Sequence, residues 1–528
     1  MATSFRIRLE KALKNRVNGV SGPAAPTADF VFTFELVPAR ASKGKVLDDI
    51  LSFVREAAQA SRIAALSITD NAGGNPTLSP KALGREIKAL GVDPVIHFSC
   101  KDKNRNTIES ELLELARLGL DDLLVLTGDY PRYGIHGNAK PVFDLDSVQV
   151  LDMISDMNHG LVLDPRVPGG GVRLAPTAFH AGGVVSPFKR TEAEQVLQYR
   201  KLLRKIRAGG SYVVTQMGYD ARKFDELLRF LRSAEVRLPV LATVFVPSLA
   251  LARAIHKGAV PGCILPARLL EDMEQEASGP DGGLRARLER TSRLAAVLWG
   301  LGYEGVHLSG SRLSYRDIQR VLDRFEEIRH DWQGHVKEFL FPEEWNFHYF
   351  QRDPATGLNT DEPSPLAAAQ TIGLLDTLHL RASLLVHDAA FSPGRGLHPI
   401  LTNWARRIRG TRWERILTHV EYAAKRPLYG CEHCGDCALS ETAFLCPQSQ
   451  CAKYLLNGPC GGSRDGWCEV WPGERRCLYV RVYERLASMG ETPLDPHGFV
   501  PPRDWALYRT SSWINYFLGL DYHKYRKS

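Results

Sequence analysis

The chain has 528 residues, 44% of them hydrophobic and 24% charged, and a formal net charge of +7. That is the composition of an ordinary soluble globular protein with room for more than one domain, and it excludes a disordered or low-complexity chain. Lys and Arg are spread along the length without a basic tail, which speaks against a nucleic-acid binder and slightly for anionic small molecules or an acidic redox partner.

An amphipathic start at Phe5–Asn15 leads into a Gly/Pro/Ala-rich linker at Gly19–Pro26, so residues 1–27 read as a helix and a linker. From there β-rich runs alternate with amphipathic helical patterns. The patterning predicts strands at Phe30–Val37, Ala64–Thr69, Val95–Ser99, Leu123–Thr127, Gly171–Pro176, Tyr212–Gln216, Val240–Val244 and Gly305–Leu308. Helical patterns lie between them at Leu47–Gln59, Pro80–Leu90, Glu109–Leu118, Thr191–Ala208 and Lys223–Ser233. Repeated strand–helix units imply a parallel sheet, and eight of them fit a (β/α)8 TIM barrel over residues 28–327 better than an open sheet. No apolar run reaches membrane-spanning length, the longest candidates such as Leu238–Val246 suiting a buried strand, and cytoplasmic residence is expected.

In such a barrel the chemistry sits where strands end. Glu35 closes the first strand, Ser67–Pro76 follows the second, His97–Asp102 the third, Thr127-Gly-Asp129 the fourth and Thr215-Gln216 the sixth. One buried Glu, His or Gln at a strand end is usually a structural hydrogen-bonder, whereas several converging on one rim make a candidate site. Cys100, at the end of the third strand, has no Cys-His-Asn arrangement around it and reads as a small buried residue.

Residues from about 330 to 430 are helical by pattern (Asp331–Phe341, Leu366–His387, His398–Tyr422), with Trp404 and Arg407 read as packing. Beyond them, eight of the ten cysteines fall in one stretch: Cys431, Cys434, Cys437, Cys446, Cys451, Cys460, Cys468 and Cys477. Cys431, Cys434 and Cys437 at two-residue gaps, closed by a distant Cys446-Pro, resemble ferredoxin ligation with a longer last gap. Thiolate cages of this kind hold iron–sulfur or zinc, and eight ligands suffice for two centres. A disulfide knot is the alternative, but such frameworks belong to small secreted domains. The region 328–528 is therefore expected to be helical and then a small cysteine-rich metal-binding domain.

Phe34-Glu35-Leu-Val-Pro38, the Thr69–Pro76 loop, His97–Asn104, Leu126-Thr-Gly-Asp129 and Thr215-Gln216 together resemble the methylenetetrahydrofolate reductase family in order and spacing. Asn457-Gly-Pro-Cys-Gly-Gly462 and Thr510-Ser-Ser-Trp513 resemble the cysteine-rich C-terminal domain found with some bacterial members. The resemblance implies a flavin-dependent barrel, binding FAD or FMN, that passes a hydride to 5,10-methylenetetrahydrofolate or runs the reverse oxidation. It implies Glu35 as the acid that protonates the folate nitrogen, directly or through water, if burial raises its pKa. It also gives Asp129 to the pterin and the flavin ring, and Gln216 to orienting folate. Thr69, His97, Thr127 and Gly128 match flavin-contacting positions, Lys201, Arg204 and Lys205 match cationic positions near the flavin phosphates, and Ser186-Pro-Phe188 looks like the loop that receives the flavin.

The sequence departs from the family near Pro247–His256, where it offers Ala252 and His256 in place of the glutamine and the aromatic ring that meet folate and nicotinamide. The donor is thus left open between NAD(P)H and a ferredoxin-like protein feeding electrons through iron–sulfur. A homo-oligomer is expected. Two other readings stay in view: a tetrahydrofolate-binding methyl-transfer partner with a structural zinc domain, and a non-catalytic subunit of an electron-transfer complex.

Overall fold

The computed structural model describes residues 4–17, 30–165, 169–366, 372–394, 396–490, 495 and 497–525, so the Gly19–Pro26 linker lies outside the described residues. The strands are Val31–Leu36 (β1), Ala65–Ile68 (β2), Asp93–Ser99 (β3), Asp122–Leu126 (β4), His180–Val185 (β5), Tyr212–Thr215 (β6), Val240–Val246 (β7) and Gly305–Gly310 (β8). Each pairs in parallel with the next and β8 returns to β1, closing an eight-stranded barrel. Strands walled by helices outside and packed side chains inside are buried on both faces, which is why they read as continuous apolar runs.

Seven strands fall where the patterning placed them; the fifth does not. Gly171–Pro176 lies in a loop held by one isolated bridge between Val162 and Arg173, and β5 is the His-Ala-Gly-Gly-Val-Val run that follows. Two adjacent glycines make a weak strand signal. The barrel requires one of them, because a Cβ on Gly182 would stand 2.4 Å from the Tyr212 ring, whose hydroxyl donates to the Leu123 carbonyl at 2.8 Å.

Helix Phe5–Val17 (α1) underlies the barrel: the Phe5 amide donates to Asp93 Oδ2 at 2.7 Å, and Arg16 pairs with Glu304 at 2.7 Å. The outer helices are Lys45–Ala60 (α2), Pro80–Ala89 (α3), Arg105–Leu118 (α4), Ser147–Asn158 (α5), Glu192–Arg207 (α6), Ala221–Ser233 (α7), Leu249–His256 (α8), Ala267–Glu276 (α9), Leu284–Leu301 (α10) and Tyr315–Ile328 (α11). Side-chain caps start several of them: Asn104 on α4, Asp220 on α7, Ser248 on α8, and reciprocal capping boxes at Asp146/Gln149 and Ser314/Asp317.

After the barrel come short turns around Trp332–His335 (α12) rather than the continuous helix expected at Asp331–Phe341, then a hairpin of Phe350–Arg352 (β9) and Asn359–Pro363 (β10) that the patterning missed. The chain continues with Leu374–Phe391 (α13), His398–Ile408 (α14) and Arg412–Tyr429 (α15), the cysteine-bearing loops with Pro447–Gln450 (α16), and finally Leu478–Ala487 (α17) and Ser512–Phe517 (α18). No helix among the described residues is long and apolar enough to cross a membrane.

The cysteine-rich region is bolted onto the barrel by Asn457, which is fully buried. Asp146 caps α5 with one carboxylate oxygen and with the other accepts from the Asn457 amide at 2.8 Å and from its Nδ2 at 3.0 Å. Asn457 also donates to the Val500 carbonyl at 3.0 Å and accepts from the Val500 amide at 2.8 Å. Truncation strands the Val500 amide in a dry interior, while the Val500 carbonyl keeps a donor in Gln149 Nε2 at 2.9 Å, so Asn457→Ala is expected to lower stability by about 1–3 kcal/mol. Urea unfolding followed by a probe on the C-terminal region checks this, and a loss under about 1 kcal/mol would mean that the latch does not hold the two parts together.

Candidate active site at the barrel mouth

A cavity of ≈ 400 Å³ opens at the C-terminal ends of the strands. Its walls include Glu35 from β1, Thr69 after β2, His97 in β3, Thr127, Gly128 and Asp129 after β4, and Gln216 after β6. The barrel thus brings Glu35, Thr69, His97, Thr127, Gly128, Asp129 and Gln216 to one cavity, while Cys100, Lys101 and Asp102 after β3 do not line it. Three buried polar atoms in the wall, Thr69 Oγ1, His97 Nε2 and Ser186 Oγ, have no hydrogen-bond partner. Buried polar groups are normally satisfied, so these are open positions for a polar ligand edge. Asp129 accepts from the Gly73 amide at 2.7 Å and Gln216 from the Met217 amide at 2.9 Å, which fixes both side chains.

Glu35 behaves differently from the sequence expectation. Its carboxylate accepts from Ser309 Oγ at 2.7 Å and lies 3.8 Å from His307 Nε2, while His307 Nδ1 meets Thr33 Oγ1 at 2.7 Å. Burial pushes the Glu35 carboxyl up, but its contact with His307, the neighbouring His97 and the Ser309 hydroxyl outweigh this and bring it down to about 2. Burial likewise takes His97 down to about 4, so at neutral pH the floor holds an ionised carboxylate and an uncharged His97. His307 and Ser309 were not singled out from sequence; the signal available was a histidine and a serine on inward positions at the end of β8.

The cationic positions divide. Lys205 lines the cavity and donates to the Val184 carbonyl at 2.6 Å, and burial together with the Lys201 charge brings it down to about 7. Lys201 and Arg204 face elsewhere. Lys201 Nζ donates to the Gly458 and Pro459 carbonyls at 3.1 and 3.0 Å, and Arg204 Nε to the Asp495 carbonyl at 2.8 Å. Lys189 does the same for the Gly461 carbonyl and, at 2.7 Å, for that of Ser463. Lys201 and Lys189 thus clamp the Asn457–Gly462 loop and Arg204 holds the Asp495 carbonyl, instead of standing open to a phosphate.

That loop forms part of the cavity wall. Lys453, Cys460 and Glu469 line it as well; Lys453 is paired with Glu469 and donates to the Gly128 carbonyl at 2.7 Å. From α8 it is Leu251 and Ile255 that face the cavity, while Ala252 is buried in the core and His256 Nδ1 meets the Leu265 carbonyl at 3.0 Å. Ser186 lines the cavity and the neighbouring Phe188 packs edge-on against Phe224. Cys100 is fully buried and pushed up to about 12, by burial first, which makes it inert.

The eight clustered cysteines fall into two fours. Cys431, Cys434, Cys437 and Cys446 line one small cavity, into which Lys425 of α15 reaches to donate to Cys437 Sγ at 3.3 Å. Cys451, Cys460, Cys468 and Cys477 form the other set: Cys468 acts on Cys451, Cys451 on Cys460, and both Cys460 and Cys451 on Cys477. Backbone amides point at the sulfurs, His433 at Cys431, Lys453 and Leu455 at Cys451, Gly462 at Cys460, and Tyr479 and Val480 at Cys477. Amides aimed at thiols two to four residues back are the donor pattern of a thiolate cage.

The cages are wide. Among the described residues, the one group of three possible ligands lying within 4.8 Å of each other is Glu35, His97 and His307, so no three thiols stand that close. Four sulfurs around a single zinc at about 2.3 Å would be roughly 3.8 Å apart.

A closed parallel barrel with a polar cavity at the C-terminal ends of its strands is the architecture of a TIM-barrel enzyme. Residues 22–310 match the family described as methylenetetrahydrofolate reductase, more than half of the chain, and residues 411–506 match the family described as methylene-tetrahydrofolate reductase C terminal. The chain belongs to the methylenetetrahydrofolate reductase family. It is 21% identical over 249 residues to a probable methylenetetrahydrofolate reductase (NADPH) of Caenorhabditis elegans, covering 46% of this chain and 34% of the relative. Against methylenetetrahydrofolate reductase 2 of Schizosaccharomyces pombe the identity is 20% over 264 residues, 48% of this chain and 38% of the relative. The chain thus spans little more than a third of these relatives. An uncharacterized Clostridium thermocellum protein, described as binding two copies of 5-methyl-5,6,7,8-tetrahydrofolic acid, aligns at a TM-score of 0.39 and 13% identity over 60% of this chain and 99% of that one, a likeness too weak to argue from.

Proposed function

We propose that the chain is an oxidoreductase that converts 5,10-methylenetetrahydrofolate to 5-methyltetrahydrofolate, or runs the reverse oxidation, with a flavin seated in the barrel mouth. The observation that carries this is the convergence of Glu35, Asp129 and Gln216 on one cavity whose wall also holds the unpartnered Thr69 Oγ1, His97 Nε2 and Ser186 Oγ. Those atoms fit the heteroatom edge of a flavin ring. When bound, the flavin supplies the hydride. Glu35, its carboxylate fixed by Ser309 and His307, takes up a proton and passes it to the folate nitrogen as the methylene bridge opens. Asp129 orients the pterin and Gln216 the rest of the folate, while Phe245, Leu251, Ile255 and Val260 keep water from the apolar side.

The phosphate end is less well served, because Lys201 and Arg204 are engaged by carbonyls of the C-terminal region. This favours a second reading, a folate-binding methyl-transfer partner without flavin. For the cysteine-rich region we propose two iron–sulfur centres, one on each set of four cysteines. Cys460 places the second set in the cavity wall, so the region serves as an electron inlet to the flavin. Protein purified without oxygen and analysed by absorption, iron, sulfide and zinc separates these readings. Flavin with iron and sulfide is the expected result; zinc without flavin would sink the reductase reading in favour of the methyl-transfer one.

A further inference from the structure

Helices α14 and α15 carry a face that none of the described residues covers. Ile400 and Trp404 on α14 are 63% and 43% exposed, and Trp413, Ile416, Val420 and Leu428 on α15 are 55%, 48%, 55% and 58% exposed. On α15, Trp413, Ile416 and Val420 follow at steps of three and four and so form one stripe. It is not a misplaced core face, because each helix already packs through its other side: Ala405 and Ile408 sit against Ile514, and Thr418, Glu421 and Lys425 are buried. Two tryptophans and four aliphatic chains exposed on two neighbouring helices is more than a monomer normally leaves to water.

The stripe is rimmed by one sign of charge. Arg406, Arg407, Arg409, Arg412, Arg415 and Arg426 are all exposed. The two acidic residues of these helices do not offset them at the surface: Glu414 accepts from the Gly410 amide at 2.6 Å, and buried Glu421 accepts from Ser511 and Ser512. Tryptophan beside arginine is the composition of an interface hot spot.

We propose that this face docks an acidic one-electron carrier protein. A second copy of the chain is disfavoured, since a two-fold contact would set the arginine rim against itself. The carrier class follows from position and rests on the electron-inlet reading above. Lys425, on the inward side of α15, reaches Cys437 Sγ at 3.3 Å, and Cys431 follows the helix end at Tyr429 by two residues. A partner on the outer side would be separated from the first four cysteines by about one helix diameter, roughly 10 Å. Two reduced carriers give up one electron each, and these two electrons with two protons from water balance the conversion of one methylene to one methyl.

The test uses the full chain purified without oxygen and a plant-type [2Fe–2S] ferredoxin as the probe, with binding measured calorimetrically at low and high salt. Binding that weakens with salt is expected, with at least about a tenfold loss of affinity for Arg407→Glu/Arg415→Glu and again for Trp404→Ala/Trp413→Ala. Turnover driven by a small chemical reductant should be unchanged in both variants. Absence of binding, or affinity indifferent to both double substitutions, overturns the proposal; so does a dimeric chain whose mass halves in the tryptophan variant, which would assign the face to a second copy. A chain that binds ferredoxin through these residues yet never reduces folate would support the surface and defeat the reductase reading, so the two failures are distinguishable.

Discussion

Glu35→Gln is expected to keep flavin bound while folate reduction falls by at least about a hundredfold, because the amide preserves the shape and loses the transferable proton. The carboxylate sits at about 2 in the open cavity, so at neutral pH it is ionised and must receive a proton before it can give one. What holds it down is the group at the end of β8, and this gives the experiment a sign. His307→Asn removes the imidazole at 3.8 Å, so the Glu35 pKa rises toward the ordinary carboxylate range. If protonated Glu35 is the competent form, the rate falls as pH rises through its pKa, and the His307 variant moves that fall to higher pH by about one unit or more. The stability effect runs the other way. A depressed carboxylate stabilises the fold above the usual carboxylate range, and this contribution is lost as pH falls toward 2. Retained activity in Glu35→Gln, or an unshifted profile in His307→Asn, would remove this carboxylate from the proton's path.

The parts of this site that were legible in the sequence are those encoded by local pattern. Glu35, His97, Asp129 and Gln216 each follow a run of apolar, β-favouring residues, and in a parallel barrel the end of such a run must face the mouth. What was not legible depends on partners far away in the chain. The two glycines of β5 hide a strand because the requirement for Gly182 comes from the Tyr212 ring. Lys201 looks like an ordinary basic position on α6; its partners are carbonyls of the Gly458-Pro459 turn, and nothing near residue 201 announces them. Glu35 could be placed but not its protonation, since burial alone argues for a raised pKa and it takes His307, His97 and Ser309, the last 274 residues on from Glu35, to reverse the direction. Lys453 and Glu469 form a buried ion pair in the cavity wall, yet as sequence they are two unremarked charges among cysteines.

If the two sets of four cysteines hold the proposed iron–sulfur centres, removing the metal should unmake the cysteine-rich region while leaving the barrel standing. Between Gly430 and Leu478 the chain forms only a three-residue 3-10 turn at Ser440–Thr442 and the four-residue α16, far too little regular structure to offset the entropy of ordering such a stretch. Burial pushes the Cys431 and Cys460 thiols up to about 11 and about 12, so without a cation each cage holds protonated sulfurs with nothing to gather around. Chelation under reducing conditions is therefore expected to expose this stretch to protease and to open the cavity wall at Cys460, while the barrel keeps its helical signal. The two fours should also respond separately. Cys434→Ser is expected to lower bound iron to about half and leave the Cys468 set filled, Cys468→Ser to do the reverse, and only the latter to disturb the absorption of a flavin in the cavity, because Cys460 of its set lines the cavity wall. Loss of all metal from either single substitution would show one shared centre, and a protease-resistant metal-free protein would show that packing against the barrel through Asn457 is enough to hold these loops.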